Sequence, residues 1–87
     1  MKAIITVIGK DKTGIIAGVT NDLLELKVNV EDISQTILQD YFVMLMLVES
    51  KKATIDEVAK KMDALSKKVG VDIRVQHEDI FNAMHRI

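Results

Sequence analysis

The chain has 87 residues, 12 of them basic and 13 acidic, a net charge of −1, no cysteine and 3% aromatic residues. These figures describe one domain, residues 1–87. They exclude disulfides, thiolate nucleophiles, cysteine-held metals, a basic nucleic-acid footprint and an aromatic platform for stacking single strands. A hydrophobic fraction of 48% supplies a core, but a chain this short buries only about 60–65% of its unfolded surface, so pairing with a second copy is a natural way to hide the remainder.

The β-branched run KAIITVI, residues 2–8, predicts a strand that is apolar on both faces and therefore central, ending at Gly9. The apolar run at the N-terminus is too short for a signal peptide or a membrane span, so the expected setting is cytoplasmic, without a membrane partner. From Ile15 the apolar spacing changes to three and four. Ile15, Ile16, Val19, Leu23 and Leu26 mark one face of a helix that Thr13 is expected to cap and that fades near Lys27. Residues 28–38, VNVEDISQTIL, interleave polar and apolar side chains and predict an edge strand or one with a wet face. Gln39-Asp40 serves as a hairpin turn. YFVMLMLVE, residues 41–49, is apolar on both faces and predicts a second central strand.

Thr54-Ile-Asp-Glu57 is a capping box. It opens a helix with Ile55, Val58, Ala59, Met62, Leu65 and Val69 on one face and Gly70 beyond its end. Asp56–Lys60, Glu57–Lys61 and Asp63–Lys67 are spaced for ion pairs along it. VDIRVQH, residues 71–77, alternates cleanly, with Val71, Ile73 and Val75 inward. The tail, 78–87, predicts a short helix capped by Asp79, with Ile80, Phe81, Met84 and Ile87 apolar. The order is β-α-β-β-α-β plus a tail. This is the split βαβ, or ferredoxin-like, α+β sandwich: a four-stranded antiparallel sheet with two helices on one face and the first and third strands in the middle.

One stretch points to function. Gly9 and Gly14 bracket Lys10, Asp11, Lys12 and Thr13 between the first strand and the first helix. The first turn of a helix carries backbone N–H groups without internal partners and partial positive charge, so a small carboxylate or phosphate is well received there. Glycine at position 14 lets another group approach the backbone. The alternative reading of the same residues is a strand–helix connection that needs glycine for its dihedral angles.

The stretch GKDKTGIIAGVTNDLLELKVNVEDISQ resembles the ACT-domain signature: a strand, Asp-x-x-Gly, an apolar helix, and Asn-Val-x-x-Ile entering the second strand. The resemblance covers the core, residues 2–77, and is similar in detail to stand-alone ACT proteins and to glycine-cleavage repressor-like regulators, through Gly14, Ile15, Ile16, Ala17, Val19 and Thr20. It implies a regulatory, non-catalytic homodimer that binds a small-molecule effector, an amino acid, at its interface. On that resemblance Asp11, Thr13 and Gly14 line the loop, and Asp11 pairs with the ligand's ammonium. Ile15 and Ile16 supply helix N–H groups, and Asn29 and Val30 approach from the partner subunit. With no effector domain on the chain, a signal passes to a separate regulated protein. Thr13 stands where many ACT loops have proline. Gly9 stands where some amino-acid sensors carry a polar side chain, which leaves the ligand's identity open.

Other chemistries find little support. His77 and His85 are the only histidines, and no ligand spacing for a metal or need for a cofactor emerges. Glu31 and Asp32 are adjacent in a strand and point to opposite faces. Ser34 and Ser50 lack a context for activation. The fold also hosts acylphosphatase, but that enzyme needs an arginine in a phosphate-cradling loop, and the first loop here carries lysines. A dimer that only binds proteins, without a ligand, is the competing class. The two-sided apolar character of residues 42–47 leaves one sheet face needing a cover, which the apolar tail stripe or a partner could provide.

Overall fold

The computed structural model describes residues 1–10 and 14–79. The elements are β1 (Lys2–Lys10), α1 (Ile15–Glu25), β2 (Asn29–Leu38), β3 (Tyr41–Glu49), α2 (Ile55–Val69) and β4 (Asp72–His77). The sheet order is β2-β3-β1-β4, with every neighbouring pair antiparallel. The apolar strands β1 and β3 therefore lie in the middle, as their composition requires, and polar β2 is an edge.

The strand period of two sorts the side chains. Ala3, Ile5 and Val7 of β1 and Met44, Met46 and Val48 of β3 point to one face. They form a single core with Ile15, Val19 and Leu23 of α1 and Val58, Met62 and Leu65 of α2. The two helices meet closely at Gly18, where an added Cβ would sit 3.3 Å from Leu65 Cδ1.

Local chemistry sets the element ends. Thr54 Oγ1 accepts from Glu57 N–H at 3.2 Å and Thr54 N–H donates to Glu57 Oε1 at 3.0 Å, so the expected capping box forms. Gly70 ends α2 at φ 70°. Asp63–Lys67 forms its ion pair at 3.3 Å. Lys61, expected to pair with Glu57 along the helix, instead reaches Glu25 on α1, because Glu57 is engaged by the cap. The end of α1 is a Schellman turn: Val28 N–H bonds Leu23 C=O at 2.9 Å and Lys27 N–H bonds Leu24 C=O at 3.0 Å, with Lys27 at φ 59°. Gln39 and Asp40 make the β2–β3 hairpin, with Gln39 at φ 56°.

Four expectations are corrected. β1 does not end at Gly9, which is buried and paired with Phe42, while Lys10 pairs with Tyr41. The N-cap of α1 is Gly14, not Thr13. Ile16, assigned to the apolar inner face, is exposed. At the other end of the chain the backbone is already helical at Glu78 and Asp79, and His77 Nδ1 accepts Asp79 N–H at 3.1 Å, so the turn is capped two residues earlier than Asp79. The rest of the expected tail helix lies outside the described residues, as do Asp11 and Thr13.

Candidate functional site

The mouth of α1 is built by Gly14. Its φ of 88° is a left-handed conformation that glycine adopts freely, and among the described residues an added Cβ there would meet nothing within 4 Å. The first intrahelical bond runs from Gly18 N–H to Gly14 C=O at 2.9 Å. The N–H groups of Ile15, Ile16 and Ala17 precede it and have no partner within the helix. No acidic side chain occupies the first turn of α1, whereas α2 has Asp56 and Glu57 in its own. The first turn of α1 thus adds no carboxylate of its own to the positive end of the helix. Ile15 is buried in the core and offers only its backbone, while Ile16 is 40% exposed beside the mouth.

Asn29 and Val30 open β2 and lie elsewhere in the same chain. With Ala17, Thr20, Asn21, Leu24 and Val28 they line a shallow hollow of about 490 Å³ between α1 and the sheet edge. One chain therefore brings Gly14, Ile15 and Ile16 together at the helix mouth, and Asn29 and Val30 together against the middle of the helix. The residues joining the two clusters are exposed and partly apolar: Ile16, Leu24 at 73% and Val30 at 40%. Sequence reasoning missed Leu24. Its signal was the spacing of Ile16, Thr20 and Leu24 in steps of four, a second stripe beside the buried one.

The start of β2 holds a bulge. Val30 pairs with Val48 and Asp32 with Leu47, leaving Glu31 extra. The bulge breaks the regular alternation on which the separation of Glu31 and Asp32 was argued, and it leaves Glu31 close to Glu49 across the strands. Their mutual hydrogen bond and repulsion raise the Glu31 carboxyl above the ordinary range, and the same hydrogen bond lowers that of Glu49. Among the described residues no group of three metal-ligating side chains gathers, and no helix is long and apolar enough to cross a membrane. Ser50 is buried, but its hydroxyl donates to Lys27 C=O at 3.1 Å and accepts from the N–H groups of Lys52 and Ala53, a structural set of partners.

A family model described as the ACT domain matches residues 2–76. A UPF0237 protein of Clostridium acetobutylicum is 55% identical over an alignment of 89 positions that covers all of both chains. One from Methanosarcina acetivorans is 51% identical, covering 97% of this chain and 94% of its own. Among solved structures, an ACT domain protein from Streptococcus pneumoniae is 45% identical, with a TM-score of 0.83 and 93% of each chain covered. A putative glycine cleavage system transcriptional repressor shares the fold at 21% identity and a TM-score of 0.78, over 86% of this chain and 44% of that one. Full-length matches, strand order and the glycine-led first helix agree: the chain belongs to the ACT-domain family.

Proposed function

We propose that the protein is a regulatory, non-catalytic module that binds an amino acid as a homodimer, in the cytoplasm. The observation that carries this reading is the mouth of α1, where among the described residues Gly14 leaves free space and the first turn of the helix itself carries no acidic side chain. That environment suits a carboxylate. Asp11 would hold the ammonium and Thr13 would complete the loop. Asn29 of a second copy, with a side-chain donor and acceptor, and Val30 beside it would close the site from across the interface. The exposed stripe of Ile16, Leu24 and Val30 supplies apolar surface for that interface. Family membership favours this reading over the acylphosphatase-like one. It also agrees with the likeness in fold to the regulatory subunit of aspartate kinase from Thermus thermophilus, 25% identical with a TM-score of 0.69 over 86% of this chain and 50% of that one.

A site shared by two subunits couples ligand affinity to dimer geometry. The test is a set of thermal melts against each of the amino acids. A ligand at a hundred times its dissociation constant adds about 2.7 kcal/mol, a rise of roughly ten degrees or more for a domain of this size. Gly14→Ala places a methyl in the open niche and should remove that rise while the dimer persists. If no amino acid moves the midpoint and the dimer is intact, the protein is the ligand-free interaction module that the same apolar stripe also suits.

A further inference from the structure

Past the C-terminal end of α1, at the opposite end of that helix from Gly14, the surface gathers positive charge. Lys27, Lys51 and Lys52 line a hollow of about 310 Å³ together with Asn29, Glu49 and Ser50. One buried hydroxyl holds it in shape. Ser50 is 4% exposed, and its Oγ donates to the Lys27 carbonyl at 3.1 Å and accepts from Lys52 N–H at 3.2 Å. The backbones of two lysines from distant segments are thereby tied at one point. Lys27 is also held at φ 59°, the left-handed position that usually falls to glycine after a helix. Lysine there carries backbone strain that glycine would avoid. Among the described residues none of the three lysines forms an ion pair, whereas Lys61 and Lys67 do. Glu49 is the carboxylate in the lining, and it lies opposite Lys2 in register, a cation outside the lining.

We propose that this hollow is a second binding site, for a phosphate dianion, either free or as the monoester of a small molecule. Three ammonium groups against one carboxylate leave two positive charges over, which match the charge of the ligand. Lysine meets phosphate as a point charge, and the Asn29 side-chain amide adds a donor to oxygens that only accept. The volume stands at the small end of ligand pockets, which suits a compact occupant. The proposal also accounts for lysine at position 27: stability is given up at a strained turn for a charge that the ligand uses. Asn29 is common to this hollow and to the one along α1, so the two lie side by side.

The test is a titration of the isotope-labelled full chain with inorganic phosphate and, separately, with methyl phosphate, each against chloride at equal ionic strength. Saturable shifts of the Lys27, Asn29, Lys51 and Lys52 amides are expected, and a melting midpoint above that of the chloride control. Tighter binding of inorganic phosphate identifies the free ion as the better occupant, and tighter binding of methyl phosphate an ester; both support the site. Lys27→Gly relieves the turn and should fold with a higher denaturant midpoint, yet bind either probe roughly tenfold more weakly. Shifts that fail to saturate, that chloride reproduces, or that persist at full strength in Lys27→Gly overturn the proposal, and Lys27 then serves only the negative end of α1. Shifts confined to Gly14–Ala17 overturn it too, because they put the anion at the helix mouth. No amino acid enters these readouts, so failure here leaves the amino-acid reading standing, and failure of that reading leaves this one.

Discussion

Ser50 illustrates how a single buried hydroxyl can be structural. Its oxygen joins the end of α1, through Lys27, to the start of the loop leading into α2, through Lys52 and Ala53. Its backbone N–H meanwhile donates to Met1 C=O at 2.9 Å. Removing the hydroxyl leaves a carbonyl and two N–H groups short of a partner. Ser50→Ala should therefore destabilise by about 1–3 kcal/mol. For a domain of this length each kcal/mol is roughly 4–8 °C of melting midpoint, so a calorimetric scan resolves the effect easily. At this scale the sequence was a partial guide. Gly14 and Gly70 could be read as turn residues, and both take positive φ. Ser50 could be read only as a serine without catalytic company, since its partners come from segments distant in the chain.

At the scale of elements, the sequence was legible where local chemistry decides. The Thr54–Glu57 box and Gly70 bracket α2 at the expected residues, and the alternation of β4 puts Ile73 and Val75 toward the core side. It failed where tertiary partners decide. Lys61 was expected to act along its own helix and acts between helices, a choice fixed only once Glu25 is brought near. Ile16 carried the right spacing for the inner face, but the sheet accommodates only the stripe of Ile15, Val19 and Leu23. Lys27 is a third case. It holds the left-handed position that ends α1, where an L-residue carries about 1–2 kcal/mol of strain. Part of that is offset in the unfolded chain, because glycine is the more flexible there. Lys27→Gly should then stabilise by about 0.5–1 kcal/mol, read as a higher denaturant midpoint with an unchanged slope. The carbonyl that accepts from Ser50 is retained in the variant, so nothing else in the turn is altered.

For the whole molecule, the arrangement of layers followed from the order of elements and from the two-sided apolar character of β1 and β3. The candidate site was legible in outline: a glycine at a helix mouth, and an asparagine entering the second strand. That one chain holds these features apart was not legible, because the distance between them depends on how α1 packs along the sheet edge. The surface joining them offers the next test. Leu24→Asp puts a charge in the middle of the exposed stripe without touching the core, since Leu24 is 73% exposed. Sedimentation equilibrium should show the proposed dimer dissociating to monomer, at least tenfold weaker in association, the equivalent of about 1.4 kcal/mol. The far-ultraviolet spectrum of the monomer should be unchanged. A dimer of undiminished strength would move the interface away from α1.

The extra residue in β2 bears on how two copies can align along that edge. A regular ribbon repeats every second residue, so one ribbon can slide past another and still find partners for its amides. Glu31 breaks the repeat near one end. An incoming strand would lose its match on reaching that kink, so the notch confines regular pairing along this edge to Asp32–Leu38 and shortens the template it offers to further strands.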